Sequence, residues 1–452
     1  MVGKESFVAT RPVFEWERQP DAEELLLREI GRRLAAVQVA GDYADRLLAA
    51  CGVRLRDIAD HLTFDDDDTM RAIEAHGWVA QHDGVWEHSR GHFPGFVRRV
   101  GEDGLFFRVE SVEQLLRATA IDAPIEGKAY GPYRRTVLFR AGSVQVGGVE
   151  RNGFRGYELP EVDDASIRKA RITQQRFRTR RRQFDSVEQG LDHIEALVDA
   201  AVAAIGPDWA CDLWLKAERD YWMTRCPAGR LQKARQDAAG IGWSNIDHHT
   251  YDGSRAHFRR SIRLLEKLGY ELREMLYAGA LAGWGSQILE QPAIGSTIFA
   301  DVDLAPEEVD IDFAHVALPP LDRHRRAGVL SILHGESLLE GGLNHVAGLY
   351  EQRTLRAQLA AEGLKMMQPF SDFPHLYQEL TEGDWAAVDP ARVDALVAGG
   401  HMSEEEGEKV RLNGAIAAHL ENIERNDGYK GFNKPGIDGV LRKLDPRRYE
   451  NA

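Results

Sequence analysis

Long apolar runs are missing from this chain. No segment approaches the ~18 uninterrupted apolar residues that span a bilayer, and the opening MVGKESFVATRPVFEWERQ has no apolar core of a signal peptide. A soluble, cytoplasmic protein is expected, with no membrane partner. Cysteine is scarce: Cys51, Cys211 and Cys226 stand alone without CxxC spacing, which excludes a disulfide framework and a thiolate zinc site. Positive charge is in deficit, 57 Lys plus Arg against 72 Asp plus Glu, and the net charge of -15 gives no general attraction to nucleic acid. What is present, 43% apolar and 29% charged residues in a chain of 452, is the composition of a globular protein with more than one core.

Three regions are expected: a helical region over 1–84, a β-rich then helical region over 85–240, and a C-terminal unit over 241–452. Apolar residues recur at helical spacing from Asp21 to Ala75, and Val53 to Leu62 reads as the first helix of a helical hairpin. A DNA-binding use of that hairpin is opposed by the run Asp65-Asp66-Asp67-Asp68, which reads as a solvated helix cap. Glycine-punctuated apolar runs at Gly104–Val109, Thr136–Arg140 and Ser143–Glu150 predict strands. Ile167 to Phe184 carries eight basic residues and reads as a solvated surface helix, with Val187–Ile205 and Asp208–Arg235 helical after it.

The informative part begins near residue 240. Ile246-Asp247-His248-His249-Thr250 is followed by a helical run from His257 to Leu268, Gly269, and strand-like segments at Glu271, Ser286 and Thr297. Leu343-Asn344-His345-Val346 opens a second copy, with a helical run from Thr354 to Glu362, Gly363, and strand-like segments at Lys365 and His375. An apolar residue, Asn or Asp, His, a strand, a Gly-terminated helix and a return to strands, twice over, predicts a pair of βαβββ modules in an α+β fold. Strand alternation would turn each His inward and its Asn or Asp outward. One inward histidine from each module makes His248 and His345 candidate metal ligands.

Residues from about 245 to 400 resemble the 2-oxoadipate dioxygenase/decarboxylase (hydroxyglutarate synthase) family of the vicinal-oxygen-chelate superfamily, a likeness covering about a third of the chain. The family's Ile-Asn-His motif is matched by Leu343-Asn344-His345, and its Arg- and Leu-rich first helix by Phe258 to Gly269. The stretch holding the family's metal glutamate is similar to Tyr377-Gln378-Glu379-Leu380-Thr381-Glu382-Gly383 followed by Val388-Asp389-Pro390. The resemblance implies that His248, His345 and Glu379 hold the metal and catalyse, with Fe(II) as cofactor, and that a small carboxylic acid and O2 are the partners. It also implies decarboxylation of a 2-oxo acid. One departure is marked: the family's substrate-gripping arginine, four residues after the first histidine, is replaced by Asp252, so Arg255 or Arg259 is expected to supply that grip.

Other readings stand beside these. His249 is the opposite-face alternative to His248; Glu290, Asp301 and Asp303 are rival third ligands, and His334 with Glu336 is a further pair. Asn426 and Tyr429, in a polar glycine-punctuated stretch, are expected to close over substrate. His88 and His92 read as structural or pocket-lining, because Pro94 and Gly95 break the helix that metal spacing would need.

Overall fold

The computed structural model describes residues 16–447 apart from 83, 281, 434, 435 and 437–443. Of the opening segment read for a signal peptide, residues 1–15 lie outside the described residues. Among the described residues no helix is long and apolar enough to cross a membrane.

Helix α1 (Pro20–Ala36) starts on proline, whose missing N–H costs nothing in a first turn, and α2 (Gln38–Cys51) stops at Gly52 with φ 73. The segment expected to continue as a helical hairpin does not. Leu55–Ile58 is a single 3-10 turn and Ala59–Phe64 is a strand, β1. Asp60 to Phe64 are all buried, so β1 lacks the alternation that marks a half-buried strand, and Leu55, Ile58 and Leu62 mimic helical spacing. The acidic run is a helix cap as expected: the Asp66 carboxylate accepts the Thr69 N–H at the start of α3 (Asp67–Ala75).

The first sheet is completed by β2 (Trp78–His82), β3 (Val85–His88), β4 (Gly95–Arg98), β5 (Asp103–Val109), β6 (Tyr133–Ala141) and β7 (Val144–Arg151), with α4 (Val112–Thr119) after β5. Its order is β2-β3-β4-β1-β5-β7-β6. The divide expected at 84/85 therefore falls between neighbouring strands of one sheet, while that at 240/241 falls before the second sheet. Four helices lie between: α5 (Asp164–Arg178), α6 (Val187–Ile205), α7 (Pro207–Met223) and α8 (Pro227–Ala238). They share one apolar core with both sheets, from Leu25 and Leu105 through Trp214 to Ile298 and Leu420.

The second sheet contains the expected pair of modules. The first is β8 (Ile246–Gly253), α9 (Phe258–Lys267), β9 (Glu271–Tyr277), β10 (Trp284–Gln291) and β11 (Ser296–Asp303). After α10 (Arg326–His334) comes the second: β12 (His345–Leu349), α11 (Gln352–Ala361), β13 (Ser371–Phe373), β14 (Leu376–Leu380) and β16 (Ala415–Arg425). Inserted before its last strand are β15 (Asp384–Ala386), α12 (Pro390–Ala398) and α13 (Glu404–Asn413). Gly269 and Gly363 follow α9 and α11 at φ 86 and 77, a conformation open to glycine and strained for other residues. The fold is thus α+β with paired βαβββ modules in a curled sheet.

Strand order reveals more than the expected duplication. The second sheet runs β9-β10-β11-β8-β12-β16-β14-β13. Reading β2 to β7 onto it, β1 pairs parallel with β4 as β8 does with β11, β5 parallel with β7 as β12 does with β16, and β1 antiparallel with β5 as β8 does with β12. Even the edge has a counterpart: an isolated bridge from Glu126 to Arg135 of β6 stands where β13 pairs with β14. The N-terminal sheet repeats the same two-module plan.

Candidate metal centre

Three neighbouring strands at the middle of the second sheet build the site. On β8, His248 and Thr250 share a face because side chains alternate. Antiparallel pairing puts His345 of β12 opposite Thr250, and parallel pairing puts Glu421 of β16 beside Ala347. His248, His345 and Glu421 therefore project from one face, all buried, with ligand atoms within 4.8 Å of one another. Glu421 Oε2 lies 3.2 Å from His248 Nε2 and 3.1 Å from His345 Nε2.

The residues before the histidines do not simply turn away, as alternation predicted. Asp247 Oδ2 meets His248 Nδ1 at 2.8 Å and Asn344 Oδ1 meets His345 Nδ1 at 3.1 Å. Each holds the far ring nitrogen and leaves Nε2 facing the centre, the arrangement by which neighbours orient metal-binding imidazoles. Gln378 Nε2 donates to Glu421 Oε1 at 2.8 Å, fixing the carboxylate with Oε2 inward. Burial opposes a charged imidazole, but Glu421 and Asp247 outweigh it and raise His248 to about 9, while burial lowers His345 despite Glu421.

A divalent first-row ion fits this donor set. Ligand atoms about 2.1 Å from one ion and at right angles to each other are about 3 Å apart, close to both observed nitrogen-to-oxygen separations. Two imidazoles and one carboxylate on one side leave the opposite positions open. Among the described residues this is the one group of His, Cys, Asp or Glu side chains with such spacing.

The expected third ligand, Glu379, is not brought there. It pairs in register with Asn422, while Leu380 pairs with Glu421, so it is one residue out of phase and faces the other way. Its oxygens are taken by Arg356 at 2.7 Å and Asn422 at 3.0 Å. His249 also faces away, accepting from Arg219 Nη1 at 3.1 Å. Among the rivals, Glu290 lines a cavity beside Arg273, Asp303 accepts the Arg325 N–H, and Glu336 accepts the Ser254 N–H. His334 donates from Nε2 to the Ile416 carbonyl at 2.9 Å, apart from Glu336.

The expected substrate contacts also divide. Arg255 is consumed by Glu308, at 2.6 and 2.7 Å, and by the Pro319 carbonyl. Arg259 is exposed, and Asn426 is pinned between Arg56 and the Pro374 carbonyl. Tyr429 does pack on the site's face, against the cluster of Ala347, Leu349, Leu376 and Ile423. The arginine that enters the interior is Arg326, at the start of α10. Its Nη2 reaches Asp252 at 2.9 Å and Asp301 at 2.8 Å, and its Nε and Nη1 are buried without partners. Asp252, standing where the resembled family has its arginine, is thus the residue that holds one. Burial raises Asp301 to about 7 even though Arg326 opposes it. His419 Nε2 is likewise buried and unpartnered. Phe299 and Phe432 close the other side, with ring centres 4.7 and 6.3 Å from His248.

The N-terminal sheet carries the same site without its ligands. Asp60 meets His61 Nδ1 at 2.8 Å on β1, as Asp247 meets His248 on β8. Arg151 grips Asp60 through Nε and Nη2 at 2.7 and 2.8 Å, as Arg425 grips Asp247 at 2.6 and 3.0 Å. Register then puts Gly104, opposite Thr63, in the place of His345, and Gly147, beside Phe106, in the place of Glu421. The Phe106 ring lies flat on His61, centres 4.8 Å apart at 8°. The repeated Ala59-Asp60-His61 and Ile246-Asp247-His248 were the available sequence signal for this relation.

The fold and site define a four-module protein with one preserved two-histidine, one-carboxylate centre. No family model and no curated protein matches the chain. Solved structures similar to it include a variant of 4-hydroxymandelate synthase from Streptomyces coelicolor, at 13% identity and TM-score 0.32, covering 75% of this chain and 96% of that one. Methylmalonyl-CoA epimerase from Mycobacterium tuberculosis is similar at 13% identity and TM-score 0.23, over 40% of this chain and 89% of that one. A xylose isomerase-like TIM barrel/4-hydroxyphenylpyruvate dioxygenase fusion protein is similar at 12% identity and TM-score 0.24, over 86% of this chain and 52% of that one. The fold assignment itself rests on the strand order and pairing above.

Proposed function

We propose that the protein is a non-haem Fe(II)-dependent dioxygenase acting on a 2-oxo acid or related chelating carboxylic acid, with loss of CO2. One observation carries the reading: His248, His345 and Glu421 converge on one point with their outer atoms held by Asp247, Asn344 and Gln378. Bound Fe(II) supplies Lewis acidity, redox capacity toward O2 and open coordination positions.

The chain's own residues do the rest. Asp247 and Asn344 hold the two rings so that Nε2 presents its lone pair, and Gln378 keeps Glu421 Oε2 turned inward. Phe299, Phe432 and Tyr429 give the cavity side an apolar wall that excludes water from a reactive centre. Arg326 offers two unpartnered nitrogens, Nε and Nη1, to a substrate carboxylate or carbonyl, and Asp252 and Asp301 aim its planar guanidinium. Asp301, raised toward neutrality, lets that arginine keep part of its charge for a substrate.

The test is O2 uptake and CO2 release by the Fe(II)-loaded full chain across a panel of 2-oxo acids and hydroxy acids. Consumption of O2 with at least one, and CO2 from a 2-oxo acid, is expected. Turnover that runs equally well without O2 would instead fit an isomerase or lyase using the same centre.

A further inference from the structure

Residues of both sheets, but none of the three donors, line a cavity of about 410 Å3, a size typical of small-molecule sites. Its walls are polar and strongly charged. The two pseudo-equivalent aspartate–arginine pairs, Asp60 with Arg151 and Asp247 with Arg425, both reach it. In a chain with a large excess of acid, this lining carries nine Arg or Lys side chains (residues 56, 108, 151, 155, 216, 219, 273, 425 and 430) against eight Asp or Glu.

Most of those cations are matched by carboxylates, but two are not. Lys430 forms no salt bridge with a carboxylate among the described residues, although Glu290 is near enough to oppose the lowering that burial causes, and its ammonium lies over the Trp16 ring, 5.5 Å from the centre. Arg219 is buried, spends Nη1 on His249, and has Nε buried with no partner. Arg108 shares the single carboxylate of Asp60 with Arg151. His92 stands in the wall among them, its backbone N–H tied to the Gly428 carbonyl at 2.8 Å. Arg219 is buried, Lys430 half-buried and Arg108 exposed; a buried cation without a counter-ion is costly, and an anion would complete the set.

We infer that this cavity binds a small molecule bearing an oxyanion, a carboxylate or a phosphate, held by Lys430 and Arg219 with Arg108 at its rim. Charge-assisted N–H donors from both sheets would meet it, as guanidinium and ammonium groups do in other anion sites. The site is distinct from the proposed metal centre but adjoins it: His249 and Arg219 line the cavity and none of the three donors does, while Asp247 and Phe432, which touch His248, stand between the two. Burial, with Arg425, Lys430 and Arg108 adding to it, lowers His92 to about 4, so the imidazole stays neutral and leaves the anion to the permanent cations.

Calorimetric titration of the full chain with inorganic phosphate and with malonate tests this, the two probes separating phosphate from carboxylate recognition. Binding of at least one probe is expected, weakened tenfold or more by Lys430→Gln, which is about 1.4 kcal/mol, and unchanged by His345→Ala. Should Lys430→Gln fail to fold, Arg108→Gln is the second variant, with the same expected loss. No heat with either probe, binding unaffected by the folded variant, or binding abolished by His345→Ala overturns the inference. The last result would assign the anion to the three-donor centre.

Discussion

Arg425 grips both oxygens of Asp247, at 2.6 and 3.0 Å, four residues along β16 from Glu421. One strand therefore supplies both a proposed ligand and the clamp on the residue that orients another. Removing the charge on Asp247 should loosen the His248 ring without removing a ligand. Asp247→Asn is expected to weaken divalent-metal affinity roughly 10- to 100-fold, measured by competition with a chromophoric chelator, with the far-ultraviolet spectrum unchanged.

Glu421 and Glu379 make a matched pair for testing the third ligand. Glu421→Ala should lose bound metal, while Glu379→Ala should keep it, because Glu379 faces Arg356 and Asn422 on the opposite side. Metal content by mass spectrometry decides between them. His248→Ala and His345→Ala should behave as Glu421→Ala does.

Glu218, fully buried on α7, joins the helical layer to the second sheet: it accepts from Arg180 and Arg182, and from the Tyr251 hydroxyl of β8 at 2.9 Å. Glu218→Gln leaves two arginines without their counter-charge and is expected to cost about 3–5 kcal/mol, read from denaturant unfolding. Burial alone would raise this carboxyl; Arg180 and Arg182 outweigh it and hold it at about 2, below the ordinary 4.5. Its contribution to stability is thus complete above 4.5 and is lost as pH falls from there toward 2. The acid-unfolding curve of Glu218→Gln should be shallower than the parent's across that window.

Gly147 predicts that the N-terminal sheet cannot simply be refitted with a ligand. A Cβ there would stand 2.2 Å from the Thr136 carbonyl oxygen, a backbone atom that cannot step aside. Gly147→Ala should destabilise the fold by about 1–3 kcal/mol or more, seen as a lowered melting temperature, and Gly147→Glu by at least as much.

The two histidines could be read from sequence because each opens a module with the same short motif, and a strand keeps that motif in one orientation. The third donor could not. β15, α12 and α13 separate β14 from β16, so the last strand of the module lies some distance beyond the stretch that resembles the family's glutamate. Glu379 sits on the adjacent strand, one step out of phase, where pairing rather than sequence decides the face. The N-terminal modules were hidden for a different reason. Their central strand β1 is buried on both faces, which erased its alternation, and two glycines and a phenylalanine occupy the places where ligands and open space would have signalled kinship.

The pairing of Thr250 with His345 gives the centre a further property. No single module owns it: one imidazole comes from each, and they meet only across the antiparallel seam. A slip of that seam by one residue would turn His345 to the opposite face and dismantle the donor set while leaving each module's own hydrogen bonds intact. Metal affinity is therefore a gauge of inter-module register, and chain segments ending before and beginning after Gly342 should gain it only on mixing.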